Sequence, residues 1–339
     1  MKISIESARN FQRATFDKNG ILDEGPKSSK LVLRFEGTDV TNQLMNCIRR
    51  TILSFVPIYA FSKKNIEITK NTTNLNNDIM RLKISQLPIF NHENKIKHLE
   101  SKYWEDLDAF VGDKIKLAIN VHNTSSGIIN VTTDNITIEI NGKQISDLYD
   151  NVDKILIMQI SPKGEFVCEA TANVGIGFIN DIYSSGLCYY DDVTQESQQN
   201  KIKHIKNTNK EFVLTIRSNG QMTEGTLLKK AFEIIKINVD LITNKMKVIC
   251  QQIGLNETVF RINLENEDYT FTNVVNYYLQ NHSNVTFCGL IKENHHIDII
   301  TFEIKTSKAN VIIGVLDDVA NEINAVVDKM AKQIDHLKL

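Results

Sequence analysis

Arg49 and Arg50 stand side by side within a single short stretch, Asp39 to Pro57 (DVTNQLMNCIRRTILSFVP). Two guanidinium forks are suited to gripping carboxylates and backbone carbonyls. The element that must position them is legible around them. Val40, Leu44, Cys47, Ile48, Thr51, Ile52 and Phe55 recur at steps of three and four, which predicts a helix with one apolar face. Thr38 or Asp39 is expected to cap it, and Pro57 cannot continue it. Neighbouring helical residues stand about 100° apart, so at least one fork points outward. A solvated surface pair and a docking grip both fit this spacing.

Other residues with chemical potential lead less far. Gly175-Ile176-Gly177 lacks the third glycine of a dinucleotide loop and reads as a strand-end turn. His295-His296 with Cys288 has no fourth metal ligand at the usual spacing and reads as a polar loop between strands. Asp191-Asp192 and Asp317-Asp318 are adjacent pairs that point apart, the first expected in a surface loop and the second at the start of a helix. No H-E-x-x-H, Walker loop or G-x-S-x-G is present. The expectation is a protein without catalysis of its own, with no cofactor and no metal.

The 339 residues suggest two or three domains, and 42% hydrophobic with 24% charged residues is ordinary for a protein with a sizeable core. A net charge of −2 argues against a stand-alone grip on nucleic acid. Cys47, Cys168, Cys188, Cys250 and Cys288 are scattered, as in a reducing compartment. The first twenty residues lack the apolar centre of a signal peptide, and no apolar run approaches the length of a membrane helix. The expected location is cytosolic or nuclear, away from membranes.

Along the chain, Ile3 and Ile5, then Leu31, Leu33 and Phe35, alternate as strands and lead into the arginine helix. Ile66 and Ile68 predict a further strand, and Leu75 to Leu87 a short helix stopped by Pro88. From about 90 to 205 the pattern turns β-rich: Ile115 to Val121, Ile136 to Ile140 ending at a tight Asn141-Gly142 turn, Ile155 to Ile160 and Phe166 to Val174. Lys201 to Lys206 (KIKHIK) reads as an edge strand or a linker. Phe212 to Ile216 is another strand. Thr226 to Cys250 is a long helix striped by Leu228, Phe232, Ile235, Val239, Ile242 and Met246. After a break at Gly254 the order of elements returns: strand Val259 to Leu264, helix Thr270 to Leu279, strands Val285 to Leu290 and Ile297 to Ile304, and a final helix, Asn310 to Leu337. That helix carries Leu316, Val319, Ile323, Val326 and Met330 on one stripe. The fold class is therefore α+β, with two units of strands and long helices in one chain, the first interrupted by a β-rich insert. A fully striped helix must bury its stripe, and packing the two long helices on each other gives an internal pseudo-dimer.

Asn46-Cys47-Ile48-Arg49-Arg50, with Thr51 to Ser54 and Pro57 after it, resembles the N-x-hydrophobic-Arg-Arg helix of the α-like assembly subunits of multisubunit DNA-directed RNA polymerases. Ile66 to Pro88 is similar to the strand, turn and short helix that come next in the archaeal D-type subunit. Lys163-Gly164-Glu165 with Cys168, Ala170 and Gly175-Ile176-Gly177 resembles the insert hairpin of that subunit. Glu267 to Asn273 (EDYTFTN) and Val285 to Gly289 resemble the first helix and next strand of the smaller L-type partner. The resemblance covers the chain from about residue 30 and implies a D-plus-L fusion of the kind found in large cytoplasmic DNA viruses. It implies a D-like dimerisation unit from 1–70 and 206–252, an insert domain from 71–205 and an L-like unit from 256–339.

The same resemblance implies a non-catalytic scaffold that nucleates the largest and second-largest polymerase subunits, joined by other small subunits, with DNA met only indirectly. A monomer is expected, located in a cytoplasmic viral factory or virion, or otherwise in a nucleus. Asn46, Arg49 and Arg50 are the implied contacts to the second-largest subunit, and Asn273 the matched asparagine of the second unit. Three departures qualify it. Thr272 replaces a glycine, and Asn276 stands where an arginine is expected, so no arginine grip carries onto the second unit. Cys168 and Cys188 are too sparse for the zinc or iron–sulfur cluster that such inserts often hold. A homodimeric α+β scaffold for a regulatory or nucleic-acid-binding partner is the alternative.

Overall fold

A computed structural model describes residues 1–10, 15–16, 22–24, 29–145, 148–149, 153–194, 210–292 and 299–337. The chain begins with β1 (Lys2–Arg9), a small hairpin of β2 (Thr15–Phe16) and β3 (Leu22–Glu24), β4 (Lys30–Gly37) and helix α1 (Asn42–Ser54). The insert runs through β5 (Ile58–Asn71), α2 (Asn77–Ser85), β6 (Ile115–His122), β7 (Ile129–Thr132), β8 (Ile136–Ile140), β9 (Lys143–Ile145), β10 (Leu156–Ile160) and β11 (Glu165–Gly175). The first unit resumes with β12 (Gly186–Asp192), β13 (Lys210–Ser218) and α3 (Glu224–Ile253). The second unit is β14 (Val259–Glu265), α4 (Tyr269–Asn281), β15 (Val285–Ile291), β16 (Ile299–Thr306) and α5 (Ile312–His336).

The first unit's sheet has the order β1-β4-β13-β12, and the second unit's β14-β16-β15, each antiparallel throughout. Period-2 alternation puts one face of each on the core. Phe35 pairs with Phe212, and Leu33 with Leu214, all of them buried. In the second sheet Ile262 pairs with Phe302 and Leu264 with Ile300, also buried. Four helices fill the space beside these faces. α1 lies on β12, α4 on β15, and α3 touches β4 and β13 of one sheet and β14 of the other. α3 against α5 is the most extensive helix pair. Leu228, Phe232, Ile235, Val239, Ile242 and Met246 of α3, and Leu316, Val319, Ile323, Val326 and Met330 of α5, are all buried. Gly254 closes α3 in a positive-φ conformation, and a short turn hands the chain to β14.

Several expectations need correction. Thr41, rather than Thr38 or Asp39, caps α1, its hydroxyl accepting from Leu44 N at 3.2 Å. Thr38 and Asp39 form the turn after β4, and the Asp39 carboxylate pairs with Lys329. Asp191 and Asp192 end strand β12 instead of lying in a loop. The strand pairings also divide the chain differently from an insert of 71–205. β5, from Ile58, pairs with β11 in the insert's own sheet, β5-β11-β6-β8-β9, while β12 from within that span pairs with β13 of the first unit. Periodicity marks a strand but not its neighbour in the sheet. Asn141 and Gly142 both have positive φ, as the β8–β9 hairpin requires. β10 pairs with β7 in a separate two-stranded ribbon. KIKHIK and His295-His296 lie outside the described residues. No helix among the described residues is long and apolar enough to cross a membrane.

Candidate partner-docking site

The apolar face of α1 (Leu44, Met45, Cys47, Ile48, Thr51 and Ile52) is buried, which orients its polar edge. Asn46 and Arg49 lie one turn apart on that edge, both half-buried. The Asn46 Oδ1 accepts from Arg49 Nε at 3.1 Å and from Nη2 at 2.8 Å. The amide thus holds one side of the fork in a fixed orientation on the helix surface.

Arg50 takes a different course. Its Nη2 donates to Asp268 Oδ2 at 2.7 Å, joining the first unit to the second. Asp268 is the N-cap of α4: its Oδ1 accepts from Thr270 N at 2.8 Å and its Oδ2 from the Thr270 hydroxyl at 2.8 Å. A carboxylate at a helix N-terminus is favoured by the helix dipole, and the guanidinium adds a charge-assisted bond. Of the expected docking set, the structure brings Asn46 and Arg49 together and commits a donor of Arg50 to the chain's own second half. Asn273 sits half-buried on α4, between buried Thr272 and Val274. Thr272, where the family pattern has glycine, is accommodated by donating its hydroxyl to Asp268 O at 2.6 Å.

Around Arg50 the junction between the units is continued by contacts that spacing alone could not assign. Lys245 pairs with Glu267 at 2.7 Å, and burial pushes the Glu267 carboxyl up from its ordinary range while Lys245 opposes the shift. Phe55 meets Phe271 edge-on at 5.0 Å and stacks on Phe178 of the insert at 5.4 Å. The insert also holds the C-terminal end of α1. Phe178 N donates to Ser54 O at 2.8 Å, and the Ser185 hydroxyl to Ile52 O at 2.6 Å. Those carbonyls have no partner within the helix. Gly177 makes the approach possible, since a Cβ there would lie 2.5 Å from Leu53 O. The Gly-Ile-Gly motif is thus a steric allowance for α1 rather than a phosphate cradle.

All five cysteines are free and buried. Burial pushes the Cys47, Cys168 and Cys188 thiols up to about 12. Such thiols stay protonated and unreactive. Asp317 and Asp318 diverge, one to Lys247 and the other to His282 at 3.4 Å.

The profile of the RNA polymerase Rpb3/Rpb11 dimerisation domain matches residues 32–238, and a second profile of the same description matches residues 260–333. The chain belongs to the RNA polymerase Rpb3/Rpb11 dimerisation domain family. The first match runs across the insert, and the second starts within β14 and ends within α5. The first match covers β12, β13, most of β4 and the first half of α3, and leaves out β1. The chain is also similar to a putative DNA-directed RNA polymerase subunit of Acanthamoeba polyphaga mimivirus. The two are 27% identical over 241 residues, which is 62% of this chain and 64% of the length of that relative. In family terms, the α3–α5 contact and the Arg50–Asp268 bridge join two dimerisation domains that one polypeptide carries in tandem.

Proposed function

We propose that this chain is a non-catalytic assembly subunit of a DNA-directed RNA polymerase, supplying both halves of an α-like dimer from one polypeptide. The observation that carries the reading is the mutual burial of the α3 and α5 stripes in a chain that matches the dimerisation family twice. Tandem fusion makes the pairing intramolecular, at an effective concentration on the order of mM. The outer surface then nucleates the largest and second-largest subunits, with other small subunits joining. Asn46 and Arg49 face the second-largest subunit, and Asn273 lies on the second unit's side. Arg50 acts chiefly inside the pseudo-dimer. DNA is met only through the large subunits, to which the catalytic magnesium belongs. The mimivirus relative supports a cytoplasmic viral factory as the place of work.

A homodimeric scaffold without a polymerase would need a long apolar stripe left open for a second copy. Both long stripes are covered within the chain, so this reading is not favoured.

The test is affinity purification of the tagged chain from cells that make it, with identification of what comes with it. Recovery in a complex containing both large polymerase subunits is the expected result. Recovery of the chain alone, or with unrelated partners only, would count against the proposal.

A further inference from the structure

The polar contacts along α3 and α5 form a ladder. Lys229 pairs with Asp335 at 2.8 Å, Lys236 with Asp328 at 2.7 Å, and Lys247 with Asp317. Between the last two, Asp240 Oδ1 accepts from Asn324 Nδ2 at 2.9 Å. Positions rise along α3 by seven, four and seven while their partners fall along α5 by the same steps. The helices are therefore antiparallel, and one edge of each is read against one edge of the other.

The signs are segregated. In three of the four rungs the first unit supplies lysine and the second aspartate. Two further bridges across the junction, Lys245–Glu267 and Arg50–Asp268, have the same polarity. Lys329 to Asp39, at 3.6 Å, runs the other way. The interface edge of the first unit carries an excess of cations, and that of the second an excess of carboxylates.

Stability alone does not explain this arrangement, because solvent screens exposed ion pairs and each contributes little. The α3 and α5 rungs are of that kind, with side chains 20% to 63% exposed. Specificity does. The apolar stripes beneath are non-directional and would accept a stripe from another copy almost as well. In an antiparallel helix pair each edge faces the same edge of an identical partner. A second copy of α5 would bring Asp317 against Asp335, and a second copy of α3 would bring Lys229 against Lys247, with Lys236 against Asp240 offsetting only part of the cation excess. Like charges facing one another across an interface select against the wrong partner.

We infer that the charged rim of the helix pair is a pairing code: it makes each unit accept the unlike unit and refuse a second copy of itself. The occupant it specifies for α3 is an α5, and tandem fusion supplies the one on the same chain. The code rests on the packing of the two units and not on polymerase docking, so its test uses the isolated full-length chain.

Three chains are refolded from denaturant and their mass distribution is read by light scattering. They are the wild type, a neutralised chain (K229Q, K236Q, K247Q, D317N, D328N, D335N) and an inverted chain (K229E, K236E, K247E, D317K, D328K, D335K). The wild type and the inverted chain, which keeps the three α3–α5 ion pairs with signs exchanged, are expected to return monomers. The neutralised chain is expected to show a several-fold larger fraction of dimers and higher oligomers, formed by like-with-like pairing of α3 with α3 or α5 with α5. A neutralised chain that returns as completely to monomer as the wild type would overturn the inference, and so would an inverted chain that oligomerises as much as the neutralised one.

Discussion

The Arg50 guanidinium reaches Asp268 across 218 residues of sequence, 2.7 Å from Nη2 to Oδ2. Its neighbour Arg49 is held by Asn46 three residues back. Two adjacent arginines thus serve two different surfaces. Arg50→Ala leaves the α4 cap without its cation and is expected to lower stability by roughly 1 kcal/mol, discounted for a partly exposed pair. Arg49→Ala is expected to stay within about 0.5 kcal/mol of the wild type while weakening co-purification of the second-largest subunit. Chemical denaturation of both variants, with a pull-down of each, separates the roles. Equal loss of stability would contradict the division.

The α3 stripe gives a graded prediction. Phe232 is buried on the α3 stripe, and its truncation to alanine is expected to cost about 3–5 kcal/mol in a denaturant titration. Leu241, 45% exposed on the same helix, should tolerate alanine within about 0.5 kcal/mol. A Phe232→Ala chain as stable as the wild type would mean that α3 does not pack as described.

Gly177 offers a steric test of how the insert holds α1. An added methyl collides with the Leu53 carbonyl, so Gly177→Ala is expected to destabilise by about 1–3 kcal/mol. Gly127 has open space around its Cβ position, and Gly127→Ala serves as the control, with a change of no more than about 0.5 kcal/mol. Thermal melts of the two variants read the difference directly.

His98 lines the cleft where the insert meets α3 and the second unit, together with Trp104, Phe178 and Asn238. Burial lowers its pKa from the ordinary 6.5, against the opposing effects of Glu100 and Asn238. A depressed folded-state pKa means that the unfolded chain binds the proton more readily. The stability His98 contributes is therefore fully present above 6.5 and is lost as pH falls through its lowered value. Replacing it with glutamine should flatten that part of the stability–pH curve, and an unaltered slope in the His98→Gln chain would assign the acid sensitivity elsewhere.

Much of this architecture was legible in the residues themselves. The period-3.6 stripes placed α1, α3, α4 and α5, and the strand alternation placed β4, β6, β8, β13, β14 and β16, because burial of one face forces those periods. The recurrence of the same element order after Gly254 pointed to two units. What periodicity could not supply was adjacency. Nothing in the stretch Glu267 to Asn273 says that its aspartate receives Arg50, and nothing in Gly186 to Asp192 says that it pairs with β13 rather than with the insert. The Asn46–Arg49 contact, by contrast, follows from an i, i+3 spacing on a helix. Local geometry was readable and long-range partnership was not.

If one copy of this chain replaces two separate α-like subunits, the stoichiometry of its complex must show it. Native mass spectrometry of the complex recovered through a tag on this chain reads that stoichiometry. The expected result is a single copy of the chain beside one largest and one second-largest polymerase subunit, with no separate small dimerisation partner. Two copies in the complex, or a distinct second dimerisation subunit bound to this one, would contradict the replacement.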